Sequence, residues 1–360
     1  MRPQRAAVVM PALAVVLAAC GGSDRDRREP LALQTPRAAH TATVLPDGTV
    51  LLAGGCATDG CSTATATTEV YDPRSDRLSP GPRLTRARDA HTATRLRDGR
   101  VALIGGYARE GTGALASAEL CNRSGCRATG SLATPRGGHA AVALRDGRVL
   151  VMGGDGALAT TEVCDTACTR FGPGPRLLHG RQGHTATLLP DGRVLVVGGY
   201  GRAGRAIGAA EIFDPSTARF APAGRLRTAR GKHAAVLLAD GRVLVIGGSE
   251  DTETRERLAS TEIYDPAAGR FTAGPALRTP RYKLPGAVAL LRDGRVLVGG
   301  DSSAPEILDV AAGRSEPVAR AVPAGAFATA TPVGGGRTLF AGGYDNEIAI
   351  SGAAFVVRAG

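Results

Sequence analysis

Apolar residues in this chain gather in short runs that recur at a fixed spacing, with polar and glycine-rich stretches between them. In the copy that starts at Arg230, the segment HAAVLL (His233–Leu238) is small and apolar with no helical period. Asp240-Gly241 marks a tight turn, since glycine accepts positive φ at no steric cost. RVLVI (Arg242–Ile246) is then apolar at nearly every position. A run without alternation predicts a strand buried on both faces. Gly247-Gly248 ends it, and a variable loop follows. STEIY (Ser260–Tyr264) predicts a third strand stopped by Asp265-Pro266, and RFT (Arg270–Thr272) begins a fourth. Pro275 and Pro280 break the chain before the next copy. Each copy therefore predicts four short antiparallel strands and no helix.

The copies are plain to the eye: HTATVLPDGTVLLAGGC from His40, HTATRLRDGRVALIGGY from His91, HAAVALRDGRVLVMGGD from His139, HTATLLPDGRVLVVGGY from His184 and HAAVLLADGRVLVIGGS from His233. Two weaker ones begin at Gly286 and Ala328. The glycine pairs start at 54, 105, 153, 198, 247, 299 and 342. A four-stranded sheet that is apolar on both faces must be covered by neighbours. Seven such sheets arranged radially cover one another and close their strand edges into a ring. The expectation is all-β: a seven-bladed β-propeller with four antiparallel strands per blade, over residues 34–360. Two ways of closing the ring stay open. Glu347–Ile350 and Ala354–Val357 would give blade seven its own outer strands, or Leu31–Leu33, ahead of Pro36-Arg37, would complete it.

Composition adds chemistry to this frame. The chain has 360 residues, 50 glycines, 4% aromatics and a formal charge of +11, and its only lysines are Lys232 and Lys283. The arginines recur with the repeat and form no run, so nucleic-acid binding is not expected. A monomer is expected. Arg2 and Arg5 precede the apolar stretch AAVVMPALAVVLAA (Ala6–Ala19), which is short for a membrane span. LAAC-GG at Leu17–Gly22 resembles the signal of a bacterial lipoprotein. That resemblance implies a signal peptide at 1–19, a lipidated Cys20 and a charged tether over 20–33. Gly21 after the cysteine implies an outer-membrane destination in a Gram-negative-like envelope. Six further cysteines come as three local pairs, Cys56/Cys61, Cys121/Cys126 and Cys164/Cys168. In an exported chain such pairs predict disulfides; their wide separation and spacing argue against a metal site.

The turn H-x5-6-DG, the apolar strand ending in Gly-Gly, the E-[VI]-[YF]-D-P third strand and the Pro-Arg before the next copy resemble the kelch family. Kelch repeats usually carry tryptophan on the fourth strand; the matching positions here are Leu78, Phe171, Phe220, Phe271 and Phe355. Cys121 and Cys164 replace the third-strand tyrosine, so the disulfides would stand in for aromatic packing.

Three sets of repeated polar residues are candidates for function. His40, His91, His139, His184 and His233 share one position, either as metal ligands at the axis or as structural groups that bond the backbone of the next strand. Arg37, Arg88, Arg136, Arg181, Arg230 and Arg281 lie three residues earlier. They form either a basic ring at the channel mouth, binding an acidic ligand, or buried pairs with the third-strand glutamates Glu69, Glu119, Glu162, Glu211, Glu262, Glu306 and Glu347. His179 stands outside the register with no evident partner. Loops after Gly-Gly vary most: CATDGCSTATA at Cys56, a basic loop from Tyr200 to Arg205, an acidic one from Ser249 to Ala259. Tyr107, Tyr200 and Tyr344 follow the glycines directly and can stack on a sugar or peptide. The expected role is non-catalytic, a lipid-anchored envelope protein that binds a protein or glycan partner, with no cofactor and no metal. The alternative is a carbohydrate-active enzyme at the channel mouth. Some kelch-type propellers resemble copper oxidases of the galactose oxidase kind, which need a Tyr–Cys cross-link; others resemble sialic acid mutarotases, which need only acid–base groups.

Overall fold

Each of the first six repeats forms one sheet of four antiparallel strands, and the seventh forms three strands of its own. The computed structural model describes residues 31–109, 112–253, 256–301, 304–318 and 325–358. The signal peptide, Cys20 and the tether up to residue 30 lie outside the described residues. Blade five shows the plan: Ala234–Leu237, Val243–Ile246, Thr261–Asp265 and Arg270–Ala273 pair in chain order. The inner strands of successive blades touch around a central channel, and that of blade seven touches that of blade one. The molecule is a seven-bladed β-propeller.

The core is seven cores, one between each pair of adjacent blades. The second strand explains why. In blade five, Leu244 and Ile246 pack toward blade six, whereas Val243 and Val245 pack toward blade four. Successive strand residues point to opposite faces, so a strand between two sheets needs apolar side chains at every position.

The ring closes through the N-terminal piece. Ala32 bridges Ala353, Leu33 N–H donates to Gly352 O (2.8 Å), and Leu33 is buried beside Tyr71 and Leu339. Leu31–Leu33 thus belongs to the propeller and not to the tether. Blade seven's third strand is Ala354–Arg358. The stretch Glu347–Ile350, expected to be an outer strand, instead lies in the loop after the glycines, and Glu347 is exposed there. Phe355 correspondingly sits on a third strand, stacked on Phe340 with ring centroids 5.1 Å apart.

The three disulfides Cys56–Cys61, Cys121–Cys126 and Cys164–Cys168 are formed. Cys121 lies directly opposite Cys126 in the ladder, as Tyr71 lies opposite Leu78 and Tyr264 opposite Phe271. Cys121 and Cys164 are fully buried in the positions that carry aromatics in blades one, four and five.

Candidate functional site

The linkers into the first five blades carry the segment Arg-x-x-His, blade six keeps only its arginine, and the two ends of that segment do structural work. Arg37, Arg88, Arg136, Arg181, Arg230 and Arg281 are completely buried. Arg37 shows the pattern. Nη1 donates to the carbonyls of Gly54 (2.8 Å) and Thr67 (3.1 Å), Nη2 to the Glu69 carboxylate (2.9 Å), and Nε to Thr35 O (3.2 Å). The carboxylate of Glu69 accepts two further bonds, from the N–H groups of Gln34 and Thr35. Those residues belong to the strap arriving from blade seven, so one Arg–Glu pair ties two blades together. The same pairing recurs as Arg88–Glu119, Arg136–Glu162, Arg181–Glu211, Arg230–Glu262 and Arg281–Glu306. Burial pulls the Arg37 pKa down and Glu69 opposes it. A buried guanidinium so bonded is not available to a ligand. The structure therefore withdraws all six arginines from the ligand-binding candidates, and Glu347 from the set of partners. His179 does have a partner: its Nδ1 lies 3.2 Å from Glu211.

The histidine end makes a belt. His91 Nε2 meets the Thr41 hydroxyl of the preceding blade (3.0 Å), His139 meets Thr92 (3.0 Å), His233 meets Thr185 (2.9 Å), and His40 closes the circle on Thr329 of blade seven (3.0 Å). The partner is a side-chain hydroxyl, not the strand backbone that the sequence suggested. His184 breaks the series, because its neighbour is Ala140; neither of its ring nitrogens has a partner. Burial, reinforced by the nearby arginine, pushes His40 down to about 3, and burial does the same to His139 and His233. All three are neutral at physiological pH.

The residue between these ends faces the channel. Ala39, Ala90, Gly138, Gly183, Lys232, Lys283 and Phe327 occupy one equivalent seat per blade, every one at positive φ between 44° and 62°. Their backbones join in a collar. Ala90 N–H donates to Ala39 O (3.0 Å), Gly183 to Gly138 (2.8 Å), Lys232 to Gly183 (2.8 Å), Phe327 to Lys283 (3.0 Å) and Ala39 to Phe327 (3.2 Å). This collar holds the left-handed conformation and fixes where each side chain projects. Below it lies a channel of about 1040 Å³ lined by Asp89, Gln182, His184, Tyr107, Tyr200, Tyr282 and Tyr344 among others.

Residues 230–278 match the family model of the Kelch motif. That stretch of the seven-bladed β-propeller carries a Kelch motif. Among solved structures, a fungal alcohol oxidase of the AA5 family, in complex with copper, superposes with a TM-score of 0.72 at 17% identity, covering 90% of this chain and 74% of that one. At that identity the likeness is one of fold. No curated protein matches the sequence.

Among the described residues, no three His, Cys, Asp or Glu side chains converge as a metal site. The belt histidines stand one per blade, and the six cysteines in the described propeller are joined in disulfides. The mouth instead holds aromatic rings and both lysines. Tyr107 lies across Gly137 of the next linker and donates its hydroxyl to Asp155; Tyr200 lies across Gly231 and bonds Ser249. A Cβ at Gly137 would sit 2.4 Å from the Tyr107 ring, which is why glycine stands there. Blade five reverses the arrangement: Ser249 is small, and Tyr282 of the following linker is the bulky residue at that level. Lys232 Nζ lies 5.9 Å from the Tyr282 centroid and 5.7 Å from Phe327; Lys283 lies 4.9 Å and 5.7 Å from the same rings and bonds the Tyr344 hydroxyl. Sequence reasoning named Tyr107, Tyr200 and Tyr344 but passed over the lysines, whose signal was their shared register. The basic and acidic loops of blades four and five also join, through Ala206 N–H to Glu250 O (2.7 Å) and an Arg205–Asp251 bridge.

Proposed function

We propose that this kelch propeller is a non-catalytic binding protein, lipid-anchored through Cys20 in the cell envelope, that presents its collar face to a protein or glycan partner. One observation carries the reading. The groups that repeat, arginine, glutamate and histidine, are consumed inside the ring, while the residues that differ from blade to blade gather at the collar and the loops beside it. A rigid scaffold with one varied face is how loop-borne recognition is built.

The test is a glycan array and an envelope-protein crosslinking screen on the full-length chain, alongside a variant with Tyr107, Tyr200 and Tyr344 changed to Ala. The reading expects hits on one of the two screens that the variant loses. Hits that survive the triple change would place recognition elsewhere. A carbohydrate-active enzyme at the same mouth is the second reading, favoured by the carboxylate of Asp89 and two lysines lining one cavity. Acceleration of anomer exchange in a reducing sugar, followed by NMR, would select it.

A further inference from the structure

The turns between first and second strands, and between third and fourth, lie at the end of each blade away from the collar and form one face. On blades two and three this face is rich in arginine. The aspartates there each have an arginine of their own: Asp98 with Arg100 (2.6 Å), Asp146 with Arg148 (2.7 Å) and Asp165 with Arg170 (3.6 Å). Asp47 of blade one takes Arg123 (2.9 Å). Arg95, Arg97, Arg127 and Arg145 are left over; all four are exposed and form no ion pair among the described residues. Arg97 acts only on Asp146, which Arg148 already bonds. Two of the four stand where other blades have proline. Pro46 and Pro190 lie across the turn glycines of the next blades, Gly99 and Gly241, and Arg97 and Arg145 cover Gly147 and Gly192 in the same way. That contact needs only carbon, so each guanidinium is an addition carried to the surface on a packed stem. Arg127 stands opposite Leu120, whereas Arg77, Arg219 and Arg270 at the matching place stand opposite aspartates. Arg95 lines the far end of the channel.

The chain enters the propeller from this same side. Leu31–Leu33 runs antiparallel to Ala354–Arg358, with Ala32 bridging Ala353 and Ala354 N–H donating to Leu31 O (3.2 Å). That strand ends opposite Arg337, in the blade-seven turn of the arginine-rich face. Cys20 stands 11 positions before Leu31, a reach of at most about 40 Å. We propose that this face lies against the anionic phospholipid headgroups of the membrane that holds Cys20, docked through Arg95, Arg97, Arg127 and Arg145, with the collar turned away from the bilayer. This rests on the lipid-anchored reading and adds the orientation to it. A guanidinium fork bonds phosphate oxygens, and each basic group near an anionic surface adds attraction that salt screens. The arrangement leaves the varied collar face open to a partner, while a single anchor chain alone would let the disc turn either way.

The chain has no tryptophan, so a single introduced one reports alone. Thr166, exposed beside Gly147 on the proposed docking face, and Ala203, exposed in the collar-side loop of blade four, are each changed to Trp. The mature lipidated protein is then set in phosphatidylcholine vesicles containing phosphatidylglycerol and a lipid with a nitroxide on its headgroup. Thr166→Trp should be quenched about threefold more than Ala203→Trp, and the difference should vanish in about 1 M salt or without phosphatidylglycerol. Changing Arg95, Arg97, Arg127 and Arg145 together to Gln should also abolish it, without lowering the melting temperature. The same change at Arg176 and Arg227, exposed on the collar-side straps, should leave it intact. Equal quenching at the two positions overturns the proposal, as does a difference that ignores salt and the four arginines. Mass spectrometry of Cys20 separates the two claims. An unmodified cysteine ends the anchor and this orientation with it; an acylated one with equal quenching ends the orientation alone.

Discussion

Arg230 and Lys232 are two residues apart, both basic, in the same linker, and their fates are opposite. Arg230 is sealed in the wall, with its guanidinium on Gly247 O (2.9 Å), Ser260 O (2.8 Å) and Glu262 (3.1 Å). Lys232 faces the channel over aromatic rings. Arginine suits the first place because its planar fork satisfies several acceptors at once; lysine suits the second because it is a compact charge on a flexible stem. In six blades the first position is arginine, while the second runs through Ala, Ala, Gly, Gly, Lys, Lys and Phe around all seven. The wall needs the same staple each time, and the mouth needs different chemistry at different points.

The largest test of that contrast is acid. Burial holds the belt histidines below their ordinary pKa of 6.5, to about 3 for His40, His139 and His233. The unfolded chain therefore binds protons that the folded ring refuses. Stability is full above 6.5 and drains as pH falls from there toward 3, by about 1.4 kcal/mol per pH unit for each histidine. Denaturant midpoints measured from pH 7 to 4 should fall steeply. His184→Leu, which copies the Leu284 of blade six, should flatten the fall by one histidine's share.

Alanine in the wall against alanine in the seat comes next. At Gly198, φ is 63° and a Cβ would lie 2.4 Å from Arg230 O, so Gly198→Ala should cost about 3 kcal/mol or more. At Gly183 the Cβ meets nothing closer than 3.4 Å, and Ala39 and Ala90 already fill that seat; Gly183→Ala should cost only about 1 kcal/mol. Thermal melts of the two variants compare them directly. A smaller effect is Ala140→Thr, which places a hydroxyl near the unpartnered His184 and should stabilise by about 1 kcal/mol. Smallest is Lys232→Gly, which relieves the left-handed seat and should leave the melting temperature equal or slightly higher.

Much of the wall was legible in the sequence. The continuous apolar second strands gave burial on both faces, and matching arginines and glutamates gave the staple. Blade seven was misread because Glu347 mimics the third-strand motif: it lies in the loop after the glycines, and the true strand begins at Ala354. The belt was half legible, since threonine follows His40, His91 and His184, but which hydroxyl each imidazole meets depends on how neighbouring blades abut. The collar was not legible. It is a property of backbone dihedrals in a closed circle, and it brings together lysines that stand apart in the chain.

The staple is tested most directly by a double-mutant cycle on Arg230→Met and Glu262→Gln, read by denaturant unfolding. Each single change should cost about 3–5 kcal/mol, because the partner is left buried and unpaired. The double should cost clearly less than their sum, with a coupling of about 2 kcal/mol or more. Two small, additive losses would mean that the pair does not hold the blades together.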